Sequence, residues 1–593
     1  VDPDNPFVIS NAAYTEGSGY ADKDSPYYGA FVTDGVDDLI TSTKTVQEML
    51  GGSNEITVVS LITHISGTGK YNIIGDGGIQ VSDYSGQTFM AGTSSSGEKI
   101  VELGDKEKLQ AVQYTTFDSK LTIGLEDSSY AYYGTFVFNK ENVPVDWIHQ
   151  VIAYFNLDRT LNPDILCNTI KQGITNDNHA EFGDKLIDFS GNGRDIQLNN
   201  IAWKGDSGIG KYEVDFLDSS IWNSSNSTIT SSKIDCKNAI SHIMLLYYSV
   251  GSKEYPDIPS FKVIKTGADI DYSYIDETGS PKSVRIVDGV NVLPASHNTL
   301  YSGSGRFCGF GNPGMGNSVT ITQIPSHAGG LCLDGINDFG KVTGMPIYKD
   351  YTFIIDYERI SYASSEKWVA GVVSKSHVAN QGAFILMTAN TEVEPGKQAY
   401  SFGGVTSFNR DDFTRALLYQ SKYKCGDVDL TVGEGVDSDT LWLGTFRDND
   451  QRFFNGAIYS LMSFPYSMSE FLIERQLKKH KLGTLYPDMV EFRPIVKSNL
   501  PYSSITYSVN PGEYISVDSM VTITVTLPNT SDKLMEVSCN AISDISISGD
   551  NGVYEITGKI VKSPQKINLV ISSYLTMLNN DTLISNETLI KNE

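Results

Sequence analysis

The sequence predicts an all-β protein, and three observations carry that prediction. Helical periodicity is scarce, short alternations of apolar and polar residues recur along the chain, and clusters of Gly, Asn, Asp, Ser and Pro punctuate them. The runs at 55–63, 351–357, 517–527 and 566–573 each put their apolar side chains on one face of a strand. Against this background one helix stands out, over 467–481: Ser469 is placed to cap it, basic residues fill its last turn, and Gly483 stops it. A shorter apolar stretch covers 145–155. The composition fits packed β modules: 593 residues are 40% hydrophobic and 11% aromatic, with 33 Tyr, 25 Phe and 54 Gly. At about 150 residues per domain the length predicts about four domains.

Charge narrows the partners. Lys and Arg number 45 against 71 Asp and Glu, a net charge of −26. Such a chain repels phosphate backbones and anionic membrane surfaces, so neither nucleic acid nor membrane insertion is expected. No apolar run reaches the roughly 18 residues that a membrane-spanning helix needs. Cys167, Cys236, Cys308, Cys332, Cys425 and Cys539 include no CxxC pair, and buried free thiols are expected rather than disulfides or zinc. The chain opens at Val1 with no legible signal peptide, which reads as processing or as a fragment of a longer product.

An internal repeat organises the chain. TDGVDDLIT at 33–41 is matched by LDGINDFGKV at 333–342, with Asp-Gly-x-Asx-Asp in common. Downstream, LTIG at 121–124 is matched by LWLG at 441–444, and each is followed by a strand, a proline (Pro144, Pro465) and a short helical segment. In that alignment 133–137 stands opposite 455–459. The Asp-Gly motif precedes the glycine of the second landmark by 90 residues in one copy and 110 in the other, which predicts two related domains.

With DFSGNGRD at 188–195, LDGINDFGKV from 333 and FNGAIYSLMSFPYSMSEFLIE at 454–474, the second copy resembles the LamG, or concanavalin A-like lectin/glucanase, jelly roll. The resemblance implies two such sandwiches. It also implies an insertion, because 146 residues separate Asp188 from Asp334 where the family needs a few tens. The expected boundaries are 1–158 for a divergent jelly roll, 159–211 and 326–486 for the two parts of the second, 212–325 for an inserted β-rich domain, and 487–593 for an immunoglobulin-like sandwich.

The glucanase branch of the resembled superfamily carries Glu-x-Asp-x-Glu on one strand, which sets its carboxylates on one face. No such run was found: Glu102, Asp105 and Glu107 are out of register, and Asp427 and Asp429 share a face without a third acid. No HxH or HExxH is formed among His64, His149, His179, His242, His297, His327, His377 and His480, and GxSxG is absent. The glycine-rich run 302–317 reads as an exposed loop rather than a phosphate cradle.

Calcium is the cofactor the sequence nominates. Asp188, Ser190 and Asn192 offer oxygens at alternate positions between turn-forming glycines, as hard cations require. The family resemblance implies Asp188 and Asn192 as ligands with Asp334 and Asp338 as partners, and Asp34, Asp37 and Asp38 as the counterpart in the first copy. Asx-type turn hydrogen bonds account for the same residues without an ion. Aromatic loops at 20–28, 130–133 and 222–227 carry the residue types that stack on sugars, and equally the types that pack a rim.

Together these features predict a non-catalytic adhesive virion protein: a phage tail fibre, receptor-binding or head-decoration protein. Its expected partners are a cell-surface glycan and other virion proteins, and its expected state is a homotrimer. An interrupted LamG-like module followed by an immunoglobulin-like tail is similar to large proteins of gut Bacteroidales and their phages. Two further readings stand beside it, a secreted bacterial carbohydrate-binding protein, extracellular or on the cell surface, and a glycoside hydrolase or lyase.

Overall fold

The computed structural model describes residues 163–465 with short breaks at 226, 241–243, 252–254, 363–368, 377–381, 390–395, 409–412 and 448–451. Before them it describes 6–15, 17–22, 25–51, 55–67, 71–72, 80–81, 87–95, 98–101, 109–110, 120–123 and 128–139. After them it describes 466–480, 489–492, 494–498, 504–509, 513–530, 533–539, 541–561, 567–574, 577–579 and 582–584. The apolar stretch at 145–155 lies outside the described residues. The fold is all-β, built from antiparallel sheets stacked as sandwiches. The chain divides into two compact units, Val1–Asn162 with Tyr466–Glu593, and Pro163–Pro465.

In the unit Pro163–Pro465, two eight-stranded sheets enclose one core. Alternation builds it: Phe353, Ile355 and Tyr357 from the strand Thr352–Arg359 meet Phe384 and Leu386 from Phe384–Ala389. The strands Val369–Ser374 and Phe384–Ala389 are buried on both faces, so they read as continuous apolar runs. A second sandwich of two five-stranded sheets spans Asn223–Ile324. It has its own core, in which Phe216, Trp222, Tyr248, Phe261, Tyr272 and Phe310 pack edge to face or tilted. Part of the glycine-rich run read as a loop is a strand, Arg306–Phe310, paired with Leu246–Val250. Cys308 and Phe310 point into the core, and Gly309 takes φ +122° where an added Cβ would lie 2.2 Å from the Leu246 carbonyl. The glycine density that suggested a loop is there to let two strands approach.

In the other unit, a six-stranded sheet runs in the order Gly19–Tyr20, Phe31–Thr33, Ser128–Phe138, Glu55–Gly67, Gln87–Ser95, Glu98–Val101. A three-stranded sheet of Phe7–Ser10, Leu39–Thr45 and Lys120–Ile123 completes the N-terminal module. Phe31, Ile40, Ile62, Leu121, Ile123 and Tyr130 form its core. The helix Glu470–His480 belongs to this unit and meets the strand Gln87–Ser95. Ser469 caps it, its hydroxyl accepting the Leu472 N–H at 3.5 Å. The C-terminal segment carries a four-stranded antiparallel sheet around Val521, Ile523, Val525 and Ile556.

The two copies superimpose in register. Val8 pairs with Thr41 and Ile9 with Ile40, while Gln197 pairs with Lys341 and Leu198 with Gly340. Gly19 pairs with Val32 as Gly208 pairs with Cys332. The offset between copies is 189 residues up to Gly208 and 300 residues from Leu331 onward, so 111 residues are added at one point. That point is the short loop after Tyr20, which the second copy replaces with the five-on-five sandwich. On the closing strand, Tyr130 and Ala131 pair with Thr33 and Val32 as Gly456 and Ala457 pair with Leu333 and Cys332. Residues 129–133 therefore stand opposite 455–459, four residues earlier than the glycine in the sequence suggested. Strand pairing sets the equivalence, and Gly134 is the accident.

Candidate functional site

The site begins with a turn. Asn11 and Tyr14 take φ of +66° and +56°, and Thr15 and Ser18 exchange backbone hydrogen bonds of 3.1 Å across it. The Ser18 hydroxyl accepts the Ala13 N–H at 2.8 Å and donates to Asp38 Oδ1 at 3.0 Å. Asp38 is buried, and its Oδ2 accepts the Asp34 N–H at 2.9 Å. Gly19 follows at φ +147°, where an added Cβ would lie 2.9 Å from the Tyr14 Cα. The acidic turn thus holds Tyr14 through Ser18, and Gly19 lets the Tyr14 backbone cross the edge strand.

Residues 21–22 and 25–30 close the other side. Ala21 N–H donates to the Ala30 carbonyl at 2.9 Å, Ser25 N–H to the Asp22 carbonyl at 3.2 Å, and Tyr27 N–H to the Ser25 hydroxyl at 3.1 Å. Between turn and loop lies a cleft of about 630 Å³, whose walls include Tyr14, Tyr20, Tyr27, Asp22, Ser25 and Ser129. Tyr14 is 65% and Tyr20 70% exposed, while Tyr20 stands edge-on to Phe31 with centroids 5.3 Å apart. Large apolar faces held this open beside hydroxyls and a carboxylate suit a ligand with a mixed surface. On the neighbouring strand, burial pushes the Tyr132 hydroxyl up to about 12 and raises Tyr133 further, so both stay neutral. Asp22 is the acidic group among the described lining residues, and no described Lys, Arg or His joins it.

The aromatic loops named from the sequence separate here. From the run 20–28, Tyr20, Ala21, Asp22, Ser25, Pro26 and Tyr27 line the cleft. Tyr130 is buried against His64 at 5.3 Å, and Tyr133 packs beside Tyr27 and Ile65 beneath the rim. Trp222 is buried in the inserted sandwich, 5.1 Å from Tyr248. Tyr14 was not singled out from the sequence, because its exposure follows from a positive φ that no local motif announces.

Among the described residues, Asp34, Asp37 and Asp38 come together, with one carboxylate oxygen from each within 4.8 Å of the others. Asp34 Oδ1 accepts the Val36 N–H at 2.8 Å, closing an Asx turn. In the second copy Asp338 Oδ2 accepts the Asp334 N–H at 3.0 Å and Asp334 Oδ1 the Ile336 N–H at 2.7 Å. Burial pushes the Asp338 carboxyl up to about 6, against the pull of the Ser207 hydroxyl and the Asp334 N–H.

Asp188 is built into the fold. Its Oδ1 accepts the Leu166 and Ser190 N–H groups at 3.0 and 2.9 Å, and its Oδ2 the Ser190 hydroxyl and the Arg194 N–H at 2.8 and 3.0 Å. Four donors use the four lone-pair positions of one carboxylate, so Asp188 does not fit a calcium ligand. The Asn192 amide donates to the Pro163 and Asp164 carbonyls at 3.2 and 3.0 Å, which ties the run to the chain ahead of the strand Ile165–Asn168. Asp188 does not join Asp334 and Asp338 in a cluster of the kind formed at Asp34.

A carboxylate pair that the motif search passed over lies on the strand Thr352–Arg359: Asp356 and Glu358, at alternate positions. Asp356 is fully buried and held by Arg415 through two bonds of 2.9 and 2.6 Å. Glu358 meets His327 Nδ1 at 2.8 Å and accepts the Tyr459 hydroxyl at 3.1 Å. The Arg415 guanidinium lies 3.5 Å from the Tyr459 ring centre. Each acid has its own partner, and the set reads as an ion-pair network across three strands. His377 lies outside the described residues.

No protein-family model matches the chain, and no curated protein matches it. Among solved structures, the chain is similar to the binding domain of botulinum neurotoxin DC in complex with SialylT, at 12% identity and a TM-score of 0.18, covering 42% of this chain and 75% of that one. It is also similar to Trypanosoma rangeli sialidase in complex with sialic acid, at 8% identity and a TM-score of 0.19, covering 76% of this chain and 61% of that one.

Proposed function

We propose that the chain is a non-catalytic adhesive protein that holds a sugar in the tyrosine cleft of its N-terminal module. The observation that carries this reading is the joint exposure of Tyr14 and Tyr20 over a cleft of about 630 Å³ with hydroxyl and carboxylate groups in its wall. Sugar rings offer apolar C–H faces to aromatic rings and hydroxyls to acceptors, and this wall supplies both. Asp22 and the hydroxyls of Ser25 and Ser129 offer oxygens to sugar hydroxyls. The module sits on a virion surface as part of a fibre or receptor-binding protein, and glycan on the host cell is its target.

A glycan array with wild type, Tyr14→Ala and Tyr20→Ala tests the site. Each substitution is expected to weaken the best ligand by about tenfold, roughly 1.4 kcal/mol. Unchanged affinity in both variants would remove the cleft from the reading. The fibre role predicts a homotrimer, and light scattering of the intact chain at three times 65.0 kDa is the expected result, where a monomer would count against it.

A further inference from the structure

The second unit holds a buried amine against a buried carboxyl. Lys375, just after the strand Val369–Ser374, and Asp437, in the loop ahead of Leu441–Leu443, have side chains 0% and 1% exposed, and Lys375 Nζ donates to Asp437 Oδ2. Lys375 Nζ also donates to the Ser438 carbonyl at 2.6 Å and lies 4.1 Å from the centre of the Tyr348 ring. Asp437 Oδ1 accepts two backbone N–H groups, from Ala383 at 2.9 Å and Ser438 at 2.7 Å, and Oδ2 accepts the Tyr348 N–H at 2.6 Å. The sequence does not announce this pair, since 62 residues separate its members.

We propose that Lys375 and Asp437 condense spontaneously to an intramolecular amide, so that the mature protein carries a covalent cross-link between the ends of two neighbouring strands of one sheet. Nζ already rests on Oδ2 of the carboxyl it would attack, both side chains are shut off from solvent, and the two N–H groups on Oδ1 form a ready site for the oxyanion of a tetrahedral intermediate. The ammonium first passes a proton to the carboxylate. The Nζ lone pair then attacks Asp437 Cγ, the Nζ–Cγ bond forms, and the Cγ–Oδ2 bond breaks. Oδ2 leaves as water, taking one proton from the acid and one from the amine, so no oxidant or cofactor enters the balance.

Burial works against the charge on the amine. Burial lowers the Lys375 ammonium below its usual range, which exposes the lone pair. Asp164, also buried, is raised by desolvation against the pull of the Tyr348 hydroxyl, Arg194 and Lys375. An ion pair kept this dry is costly, and condensation removes both charges.

Intact-mass spectrometry of the purified full-length chain decides the matter. The expected result is a mass lower than the sequence by one water, with a branched tryptic peptide joining the segments of Lys375 and Asp437. Lys375→Arg keeps the positive charge but presents a guanidinium in place of a nucleophilic amine, and is expected to restore the full sequence mass. A wild-type chain of full sequence mass, or a water loss that maps to other residues, would overturn the proposal. The wild-type measurement stands even where the variant fails to fold.

Discussion

At the scale of single residues, the same acidic side chain holds the same turn in both copies. Asp38 anchors Ser18, which accepts the Ala13 N–H, and Asp338 draws on Ser207, which accepts the Ala202 N–H at 2.7 Å; the Asp338 carboxyl is pushed up to about 6. The folded protein keeps the Asp338 proton up to about pH 6, while an unfolded chain releases it near 3.9. Between those values the folded state binds more protons, so the contribution of Asp338 to stability falls as pH rises through 4 to 6 and is recovered on acidification. Asp338→Asn removes the charge. Its melting temperature relative to wild type is expected to be higher at pH 7.5, by on the order of 1 kcal/mol of stability, and the difference to shrink at pH 5. A difference that stays constant with pH would show that Asp338 does not titrate in this range.

At the scale of elements, the Asp-Gly turn shows why a short motif was legible. Gly35 takes φ +77°, and an added Cβ would lie 2.6 Å from the backbone carbon of Ser128. Gly51 takes φ +63° with open space around it. Gly35→Ala is therefore expected to cost about 2–4 kcal/mol and Gly51→Ala about 1 kcal/mol, read by denaturant unfolding. Equal costs would remove the close approach as the cause. Motifs of this kind are visible in sequence because backbone geometry admits few residues. The strand alternation and the Ser469 cap were visible for the same local reason. The cleft was only half visible, since 20–28 lies in one loop but Tyr14 and Ser129 reach it through strand pairing. The pairs Asp356–Arg415 and Lys375–Asp437 were invisible, because their partners lie 59 and 62 residues apart and nothing local links them.

At the scale of the whole molecule, the repeat explains the length better than the domain count did. One module carries a short loop and a cleft after its edge strand, while the other carries 111 more residues at that place. Lys211 pairs with Ser326, so the inserted sandwich leaves and rejoins its host at adjacent residues. A variant in which 212–325 is replaced by the first copy's 23–25 is expected to keep the host sandwich folded, and the excised segment to fold with its own cooperative transition, both read by calorimetry. Loss of cooperative unfolding in both pieces would show that the two cores depend on each other. This arrangement also sets a schedule for the nascent chain. The strand Gly208–Lys211 leaves the ribosome with its partner Ser326–Asp334 still unmade, and at about 5–20 residues per second the wait is on the order of ten seconds. The inserted sandwich completes its core during that wait and delivers the two ends side by side. Its own folding speed is therefore the clock for the domain that carries it, and a substitution that slows the insert delays a core it never touches.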